Sequence, residues 1–300
     1  MTATKSEPIS HTIASEGEFS GLNLTGRAIL PAEHPADVPL IIALHGGTYT
    51  SEYFDIPGHS LLTLAGDAGI PIIALDRPGY AGSTALAPED STILKNAEVL
   101  DGAIGELWQK YGAGTTGIVL IGHSIGGAIA TAIAARQPSW PLLGLAVSGC
   151  LLDVPKESAA AWEALPDIPF IDLPTPMKDQ VMFGPADSVD DAMPAASYPS
   201  NAPVPRAELI DITTTWIAGL RELAAKITVP VMSRQAEFDA LWITDEDQVK
   251  QFGEIFTSSP VVDAKLFKQT GHCIDFHRLG TAFQLEELAF ALRCSVLVSA

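Results

Sequence analysis

The sequence predicts an α/β fold, a doubly wound and mostly parallel sheet with helices on both faces and an inserted cap, or lid. Two observations predict the sheet: short apolar, β-branched runs recur along the chain, and segments with helical periodicity alternate with them. A third observation predicts the cap, because residues 151–206 break this alternation and hold ten of the 22 prolines. We therefore assign 1–150 and 207–300 to the core and 151–206 to the cap.

The elements follow in order from the N-terminus. Residues 1–17 are polar and mixed, which predicts a loose arm, and residues 18–30 predict an antiparallel hairpin at the edge of the sheet. Apolar runs predict buried strands at 40–44, 70–75, 118–121, 142–147, 227–232 and 261–267. Helical spacing predicts helices at 58–68, 91–111, 127–135, 207–226, 245–256 and 279–293. We expect the apolar segment 295–300 to pack on the core or on a partner.

Composition disfavours several classes of protein. The chain has 300 residues, is 47% hydrophobic and carries a formal net charge of -19. Such an acidic chain should avoid nucleic acid and anionic membrane surfaces. The N-terminus lacks the apolar segment of a signal peptide, and three cysteines at unrelated spacings match neither a disulfide framework nor a zinc pattern. We expect a cytoplasmic protein with no metal and no organic cofactor, and its oligomeric state stays open.

The stretch 117–130 carries the central motif. A buried strand at 118–121 leads directly into Gly122-His-Ser-Ile-Gly126, and an alanine-rich helix follows. This order matches the G-x-S-x-G nucleophile elbow, in which the serine occupies a strained turn above the sheet. The two glycines avoid collisions with neighbouring backbone, and the helix dipole favours negative charge at its N-terminus. Ser124 is therefore the predicted nucleophile.

A serine hydroxyl needs a base that accepts its proton and an acid that holds this base. His272, in the turn after the last core strand, is the expected base, and His277 is the alternative. The acid should come from the loop after the preceding strand, where Asp239 is expected and Glu237 is the alternative. Asp239 and His272 preserve the chain order serine, acid, histidine that such a fold requires.

Donors to an oxyanion are expected in His45-Gly-Gly-Thr48, which follows the first core strand. Glycines let N–H groups approach a developing negative charge, so the amide of Gly47, with or without that of Thr48, should act together with the amide of Ile125. The other expected substrate contacts lie beside these groups or in the cap: Thr48, His123, Met182, Phe183 and Trp242.

Two further side chains have structural interpretations that we favour. Arg77 could contact a substrate carboxylate, but we expect it to pair with Asp76 or another acid and so to stabilise its turn. Cys273 lies beside His272 and could be taken for a nucleophile. Because Ser124 already occupies the elbow, we expect a small buried side chain at Cys273.

Four motifs together resemble the α/β-hydrolase family: Leu44-His-Gly-Gly47, Asp76-Arg-Pro-Gly-Tyr-Ala-Gly-Ser83, Gly122-His-Ser-Ile-Gly-Gly127 and Thr270-Gly-His272. The resemblance covers residues 20–293 and implies that 151–206 is the cap inserted after the strand that follows the elbow. Serine at the elbow, where dehalogenases and epoxide hydrolases have aspartate, implies esterase, lipase, thioesterase, peptidase or acyl-transfer chemistry. Residues 76–83 and 271–278 also resemble fungal or actinobacterial hydrolases that accompany polyketide pathways.

The expected function is cleavage of an ester or thioester of a hydrophobic small molecule through an acyl-serine. The cap is apolar and rich in methionine, which suits a flexible hydrophobic substrate. It holds three basic and nine acidic residues, which disfavours acidic carrier proteins and CoA and favours neutral esters or lactones. Two alternatives stay open: a thioesterase-like acyl transferase that releases a polyketide chain by macrolactonisation, and a non-catalytic small-molecule receptor.

Overall fold

The computed structural model describes residues 5–297 and contains, within that range, an eight-stranded sheet with helices on both faces. The strands are β1 (Glu7–Thr12), β2 (Asn23–Ile29), β3 (Leu40–Leu44), β4 (Asp55–Ile56), β5 (His59–Ser60), β6 (Ile72–Leu75), β7 (Ile118–His123), β8 (Leu142–Ser148), β9 (Phe170–Ile171), β10 (Val204–Pro205), β11 (Val231–Ala236) and β12 (Val262–Phe267). The helices are α1 (Leu61–Asp67), α2 (Ile93–Tyr111), α3 (Ile125–Ala135), α4 (Lys156–Glu163), α5 (Thr175–Met182), α6 (Arg206–Thr213), α7 (Thr215–Ala224), α8 (Glu246–Glu254) and α9 (Gly280–Leu297).

The sheet has the strand order β1-β2-β6-β3-β7-β8-β11-β12. The strands from β6 to β12 in this order pair in parallel, whereas β2 is antiparallel to both β1 and β6. This arrangement confirms the predicted doubly wound, mostly parallel sheet. Strand β3 lies between β6 and β7, so the winding direction changes beside it, and ligands of open α/β sheets bind at the carboxyl ends of the strands at such a point.

Strand β3 illustrates why the sheet has helices on both faces. All five of its residues are buried. Leu40, Ile42 and Leu44 belong to the apolar cluster that includes residues of α2, α3 and α7. Ile41 and Ala43 belong to the cluster that includes residues of α1 and α9. Because successive side chains of a strand point to opposite faces, each face of β3 is apolar and is covered by helices.

The N-terminal arm differs from the prediction. Residues 7–12 form β1, an edge strand, instead of a loose segment, and the hairpin joins β1 to β2 with Glu7 opposite Ala28. Ile9 and His11, on one face of β1, are partly buried, and the chain reverses through Gly21 at a φ of 83°. The polar outer face of an edge strand explains why composition alone suggested an arm.

The predicted helix 207–226 is two helices, α6 and α7, which meet at Thr214. The hydroxyls of Thr213 and Thr214 donate to the carbonyl oxygen of Ile210, at 3.1 and 2.7 Å. Threonine side chains compete in this way with the helical backbone. The predicted strand 227–232 begins instead at Val231, because Pro230 has no N–H to contribute to the ladder.

Residues 151–206, the predicted cap and called the cap below, contact the rest of the chain through main-chain hydrogen bonds. Strands β9 and β10 pair near its C-terminal boundary. The amide of Ala202 donates to the carbonyl of Thr48 at 3.0 Å, and the amide of Cys273 donates to the carbonyl of Met182 at 2.9 Å. The cap is thus bonded to the loops after β3 and β12. Helix α9 includes the start of the apolar C-terminal segment, and residues 298–300 of that segment lie outside the described range.

Across residues 5–297, we find no helix with the length and apolar character that crossing a bilayer requires.

Candidate active site

Ser124 lies on a sharp turn between β7 and α3. Its φ of 55° and ψ of -125° lie in a region that residues other than glycine rarely occupy, and such strain concentrates at functional sites. Its amide donates to the carbonyl of Ser148 at 2.7 Å. A Cβ on Gly122 would lie 2.6 Å from the carbonyl oxygen of Gly126, and a Cβ on Gly126 would lie 2.1 Å from that of Leu44. The glycines therefore have the steric role that the motif predicts.

His272 and Asp239 form a buried pair. The Nδ1 atom of His272 lies 2.7 Å from Oδ2 of Asp239, and both side chains are inaccessible to solvent. The Oδ1 atom of Asp239 accepts from the amides of Leu241 at 2.8 Å and Trp242 at 3.3 Å. A carboxylate that accepts at both oxygens orients Nδ1–H of the imidazole toward itself, which leaves Nε2 as a proton acceptor.

The ring of His272 also lies close to the turn that carries Ser124. Its centroid is 4.8 Å from that of His123, the residue before Ser124. Within residues 5–297, no group is hydrogen-bonded to the Ser124 hydroxyl. Catalytic hydrogen bonds often form only when substrate is bound.

The alternative acid and base have other partners. Glu237 accepts from the amide of Gln269 at 2.8 Å and lies 3.6 Å from Nζ of Lys268. The Nε2 atom of His277 accepts from the amides of Gly271 at 2.8 Å and Gly184 at 3.0 Å. Burial lowers the pKa of His277 to about 4, so the neutral ring that can accept these bonds is the favoured form.

Residues 45–48, which are predicted to hold an oxyanion and are here called the oxyanion segment, are oriented by Arg77. Its Nε donates to the carbonyl of His45 at 2.9 Å, and its Nη2 donates to the carbonyl of Gly46 at 3.2 Å. Because a trans peptide directs C=O and N–H to opposite sides, the amide of Gly47 points away from Arg77. Ile125 is the first residue of α3, and the first N–H groups of a helix have no intrahelical acceptor.

Arg77 is fully buried and pairs with Glu208 of α6. The sequence predicted a pair with Asp76 or another acid, and Glu208 is that other acid. Its Nη1 donates to Glu208 Oε1 at 2.6 Å, and the hydroxyl of Tyr80 donates to Oε2 of the same carboxylate at 2.8 Å. The guanidinium carbon lies 4.5 Å from the centre of the Tyr80 ring. Asp76 instead accepts from the amide of Ser51 at 2.7 Å. Glu208 had no distinguishing sequence signal, because it is one carboxylate within a helical segment.

A small cavity lies beside Ser124, under the cap. Its volume is about 40 Å³, and apolar side chains form most of its wall. The lining includes six of the predicted site residues and further cap and helix residues: Gly47, Thr48, Ser124, Ile125, Val154, Trp162, Leu173, Met182, Leu209, Ile212, Thr213, Leu241 and Trp242. Of the predicted substrate contacts, Thr48, Met182 and Trp242 therefore lie at the cavity.

The structure does not bring His123 and Phe183 to this cavity. The ring of His123 stacks on Tyr53 with 4.7 Å between centroids, and its Nδ1 lies 3.1 Å from Oγ of Ser148. Phe183 stacks on Phe276, 6.1 Å away. The side chain of His123, at the end of β7, points into the interior, and Phe183 lies just after the end of α5. The prediction that these two residues contact the substrate is therefore not supported. Cys273 is buried, as expected.

Lys178 of α5 is a site neighbour that the sequence did not identify. Its side chain is 3% exposed, and Nζ donates to the carbonyl of Thr48 at 2.7 Å and to Oδ1 of Asn201. Lys178 stands in an acidic, proline-rich segment, and no sequence pattern there distinguishes it from a solvated charge.

No group of three His, Cys, Asp or Glu side chains in the described range is arranged to hold a metal ion.

Comparison with known proteins identifies the same architecture. The model of the alpha/beta hydrolase family matches residues 41–282. No curated protein matches the chain in sequence. Among solved structures, a highly thermostable carboxyl esterase from Bacillus coagulans is 17% identical with a TM-score of 0.70, covering 97% of this chain and 99% of its own. The thioesterase domain from the curacin biosynthetic pathway is 15% identical with a TM-score of 0.62, covering 96% of this chain and 99% of its own. At such identities the similarity establishes the fold alone.

Proposed function

The chain belongs to the alpha/beta hydrolase family, and on that premise we propose that it is a serine hydrolase of hydrophobic small-molecule esters or thioesters. The observation that supports this most directly is the buried His272–Asp239 pair, 2.7 Å apart, near the strained elbow at Ser124. Acyl transfer by a serine requires a histidine that an acid orients and a serine within its reach. The His272 ring, 4.8 Å from that of His123 in the turn that carries Ser124, supports this arrangement.

The proposed reaction has two halves. Nε2 of His272 accepts the hydroxyl proton of Ser124 as Oγ attacks the carbonyl carbon of the substrate, and Asp239 stabilises the imidazolium that forms. The amides of Gly47 and Ile125 donate to the oxyanion. His272 then protonates the leaving alkoxide or thiolate, which leaves an acyl-serine. Water, deprotonated by His272, hydrolyses this ester and releases the acid.

The wall of the cavity supports a neutral, apolar acyl group. Thr48, Ser124 and Thr213 are its hydroxyl-bearing residues, and no charged side chain lines it. A substrate carboxylate or ammonium would therefore lose its hydration without a counter-charge, which costs on the order of several kcal/mol for each ion. This argument favours neutral esters and lactones over CoA-linked or carrier-linked chains.

Substrate entry requires the cap to move. A cavity of about 40 Å³ has space for a water molecule but not for an ester, since sites for drug-sized ligands have about 300–1,000 Å³. The strained serine and the buried acid–base pair disfavour a receptor, which has no use for either.

The proposal is tested by intact mass after incubation with a fluorophosphonate and by hydrolysis of p-nitrophenyl esters from acetate to octanoate. We expect one adduct on the wild type, none on Ser124→Ala, and hydrolysis that depends on Ser124. A folded wild type that neither forms an adduct nor hydrolyses any ester would overturn the proposal. A lactone formed from a hydroxyacyl thioester, instead of the free acid, would favour the acyl transferase.

A further inference from the structure

Thr48, at the end of the oxyanion segment, combines backbone strain with an unsatisfied hydroxyl. Its φ is 66°, which is a genuine outlier for a β-branched residue. The residue is 2% exposed and lines the cavity beside Ser124, and its Oγ1 atom has no hydrogen-bond partner among residues 5–297. A buried hydroxyl without a partner is unfavourable, as is the strained backbone. Both features are explained if the hydroxyl acquires its acceptor from the substrate.

Lys178, which belongs to the cap, is hydrogen-bonded to Thr48. Besides its bond to the Thr48 carbonyl, its Nζ lies 3.3 Å from the centre of the Tyr49 ring. None of the ion pairs within residues 5–297 involves Lys178. Burial lowers its pKa to about 7, while the nearby groups Cys273, Asp179 and Asp172 act in the opposite direction. A buried lysine without a carboxylate partner is costly.

The carbonyl of Thr48 therefore accepts two bonds, from Nζ of Lys178 at 2.7 Å and from the amide of Ala202 at 3.0 Å. Both donors belong to the cap. Because they determine the direction of this carbonyl, they also hold the left-handed backbone that precedes it. The cap thereby controls the conformation of a residue that lines the same cavity as Ser124.

We propose that Thr48 is a catalytic residue whose hydroxyl donates to the oxyanion of the substrate, and that Lys178 is the positioning residue that maintains its conformation. This inference rests on the proposed ester hydrolysis at Ser124. The hydroxyl acts as a third donor beside the amides of Gly47 and Ile125. Its proton is shared with the oxyanion and not transferred, so the steps of the reaction are unchanged.

The first experiment compares Thr48→Val, which removes the hydroxyl, with Thr48→Ser, which retains it. With p-nitrophenyl butyrate we expect Thr48→Val to lower kcat by about 10–100-fold with little change in KM, because the bond forms mainly in the transition state. Thr48→Ser should retain kcat to within about threefold. The matched control is Thr131→Val, which removes a buried hydroxyl in α3 that donates to Gly127 at 2.8 Å, away from the cavity.

The second experiment tests the role of Lys178 by a double-mutant cycle. Lys178→Met should lower kcat on the order of tenfold in the wild type, since small misplacements of a catalytic group have such effects. In the Thr48→Val background the same substitution should change kcat by less than about twofold, because coupled residues are not additive. Lys178→Gln, which retains a donor, should restore part of the rate and serves if Lys178→Met does not fold.

The outcomes separate this inference from the function on which it rests. Fluorophosphonate labelling and ester hydrolysis by the wild type test the serine hydrolase alone, and their absence would overturn both proposals. If the wild type is active but Thr48→Val matches Thr131→Val in kcat, the hydroxyl is not a donor. If the two substitutions are additive, Lys178 does not act through Thr48.

Discussion

Gly149 contacts the edge of the His272 ring: a Cβ on Gly149 would lie 2.9 Å from Cε1 of His272. Gly149 follows β8 directly and has a φ of 64°, so the chain needs glycine there for its backbone as well as for the space. The same Cβ would lie 2.9 Å from Cε1 of His123. The missing side chain at this position is what allows two imidazole rings to pack beneath the cap.

Gly149→Ala is expected to lower kcat for p-nitrophenyl butyrate by about tenfold or more, because the ring of His272 must move to accommodate the methyl group. The control is Gly102→Ala in α2, where nothing lies within 4 Å of the added Cβ. That change should leave kcat unaltered and raise the free energy of unfolding by about 0.5–1 kcal/mol. Equal rates for the two variants would contradict the proposed constraint on His272.

Asp239→Asn should lower kcat by about three to four orders of magnitude, because an amide does not hold the productive tautomer of His272. Glu237→Gln provides the comparison, since Glu237 lies two residues before Asp239 in the same loop but accepts from the main-chain amide of Gln269. Its kcat should stay within about threefold of the wild type. Steady-state kinetics on both variants decide between the two acids, and the reverse result would identify Glu237 as the partner of His272.

Glu208→Gln is expected to lower the free energy of unfolding by about 3–5 kcal/mol, because it leaves the charge of Arg77 buried without compensation. The double variant Arg77→Met/Glu208→Met should recover much of this stability but not the activity, since His45 and Gly46 lose their donors. Urea denaturation and ester hydrolysis measure the two effects. Glu222→Gln, at an exposed pair with Lys226, should leave stability nearly unchanged.

Trp162→Ala should shift the preference of the protein toward longer acyl chains. Trp162 of α4 lines the cavity, and removing its indole lets the acyl group extend under the cap. We expect the ratio of kcat/KM for octanoate to that for acetate to rise about tenfold or more, as one methylene in an apolar site contributes about 1–3 kcal/mol. Trp108→Ala, on α2 outside the cavity, should lower stability without changing this ratio.

Between pH 6.5 and 4, protonation of His277 should make the free energy of unfolding depend on pH. Burial lowers the pKa of His277 to about 4 in the folded state, against the ordinary value of 6.5. Below pH 6.5 the unfolded chain therefore binds the proton first, so stability is lost as pH falls, by about 3 kcal/mol in total. His277→Gln has no such proton, and its free energy of unfolding should fall less over this range. Parallel curves for the two proteins would contradict the prediction.

The sequence allowed prediction of residues that directly follow core strands. Ser124, Asp239 and His272 could be placed because the carboxyl ends of parallel strands meet at one edge of the sheet. Contacts between distant residues could not be predicted. Arg77 is 131 residues from Glu208 and Lys178 is 130 residues from Thr48, and no periodicity relates either pair. The same limit applies to His123 and Phe183, whose direction depends on the packing of neighbouring rings.

The hydrogen bonds between the cap and the loops after β3 and β12 have a consequence for protein engineering. Residues 151–206 cannot be exchanged like a modular domain, because Ala202 and Met182 bond to main-chain atoms of Thr48 and Cys273. A chimera that received a foreign cap would acquire new neighbours for its nucleophile and histidine along with a new substrate range. Grafting for altered selectivity therefore has to transfer the two loops together with the cap.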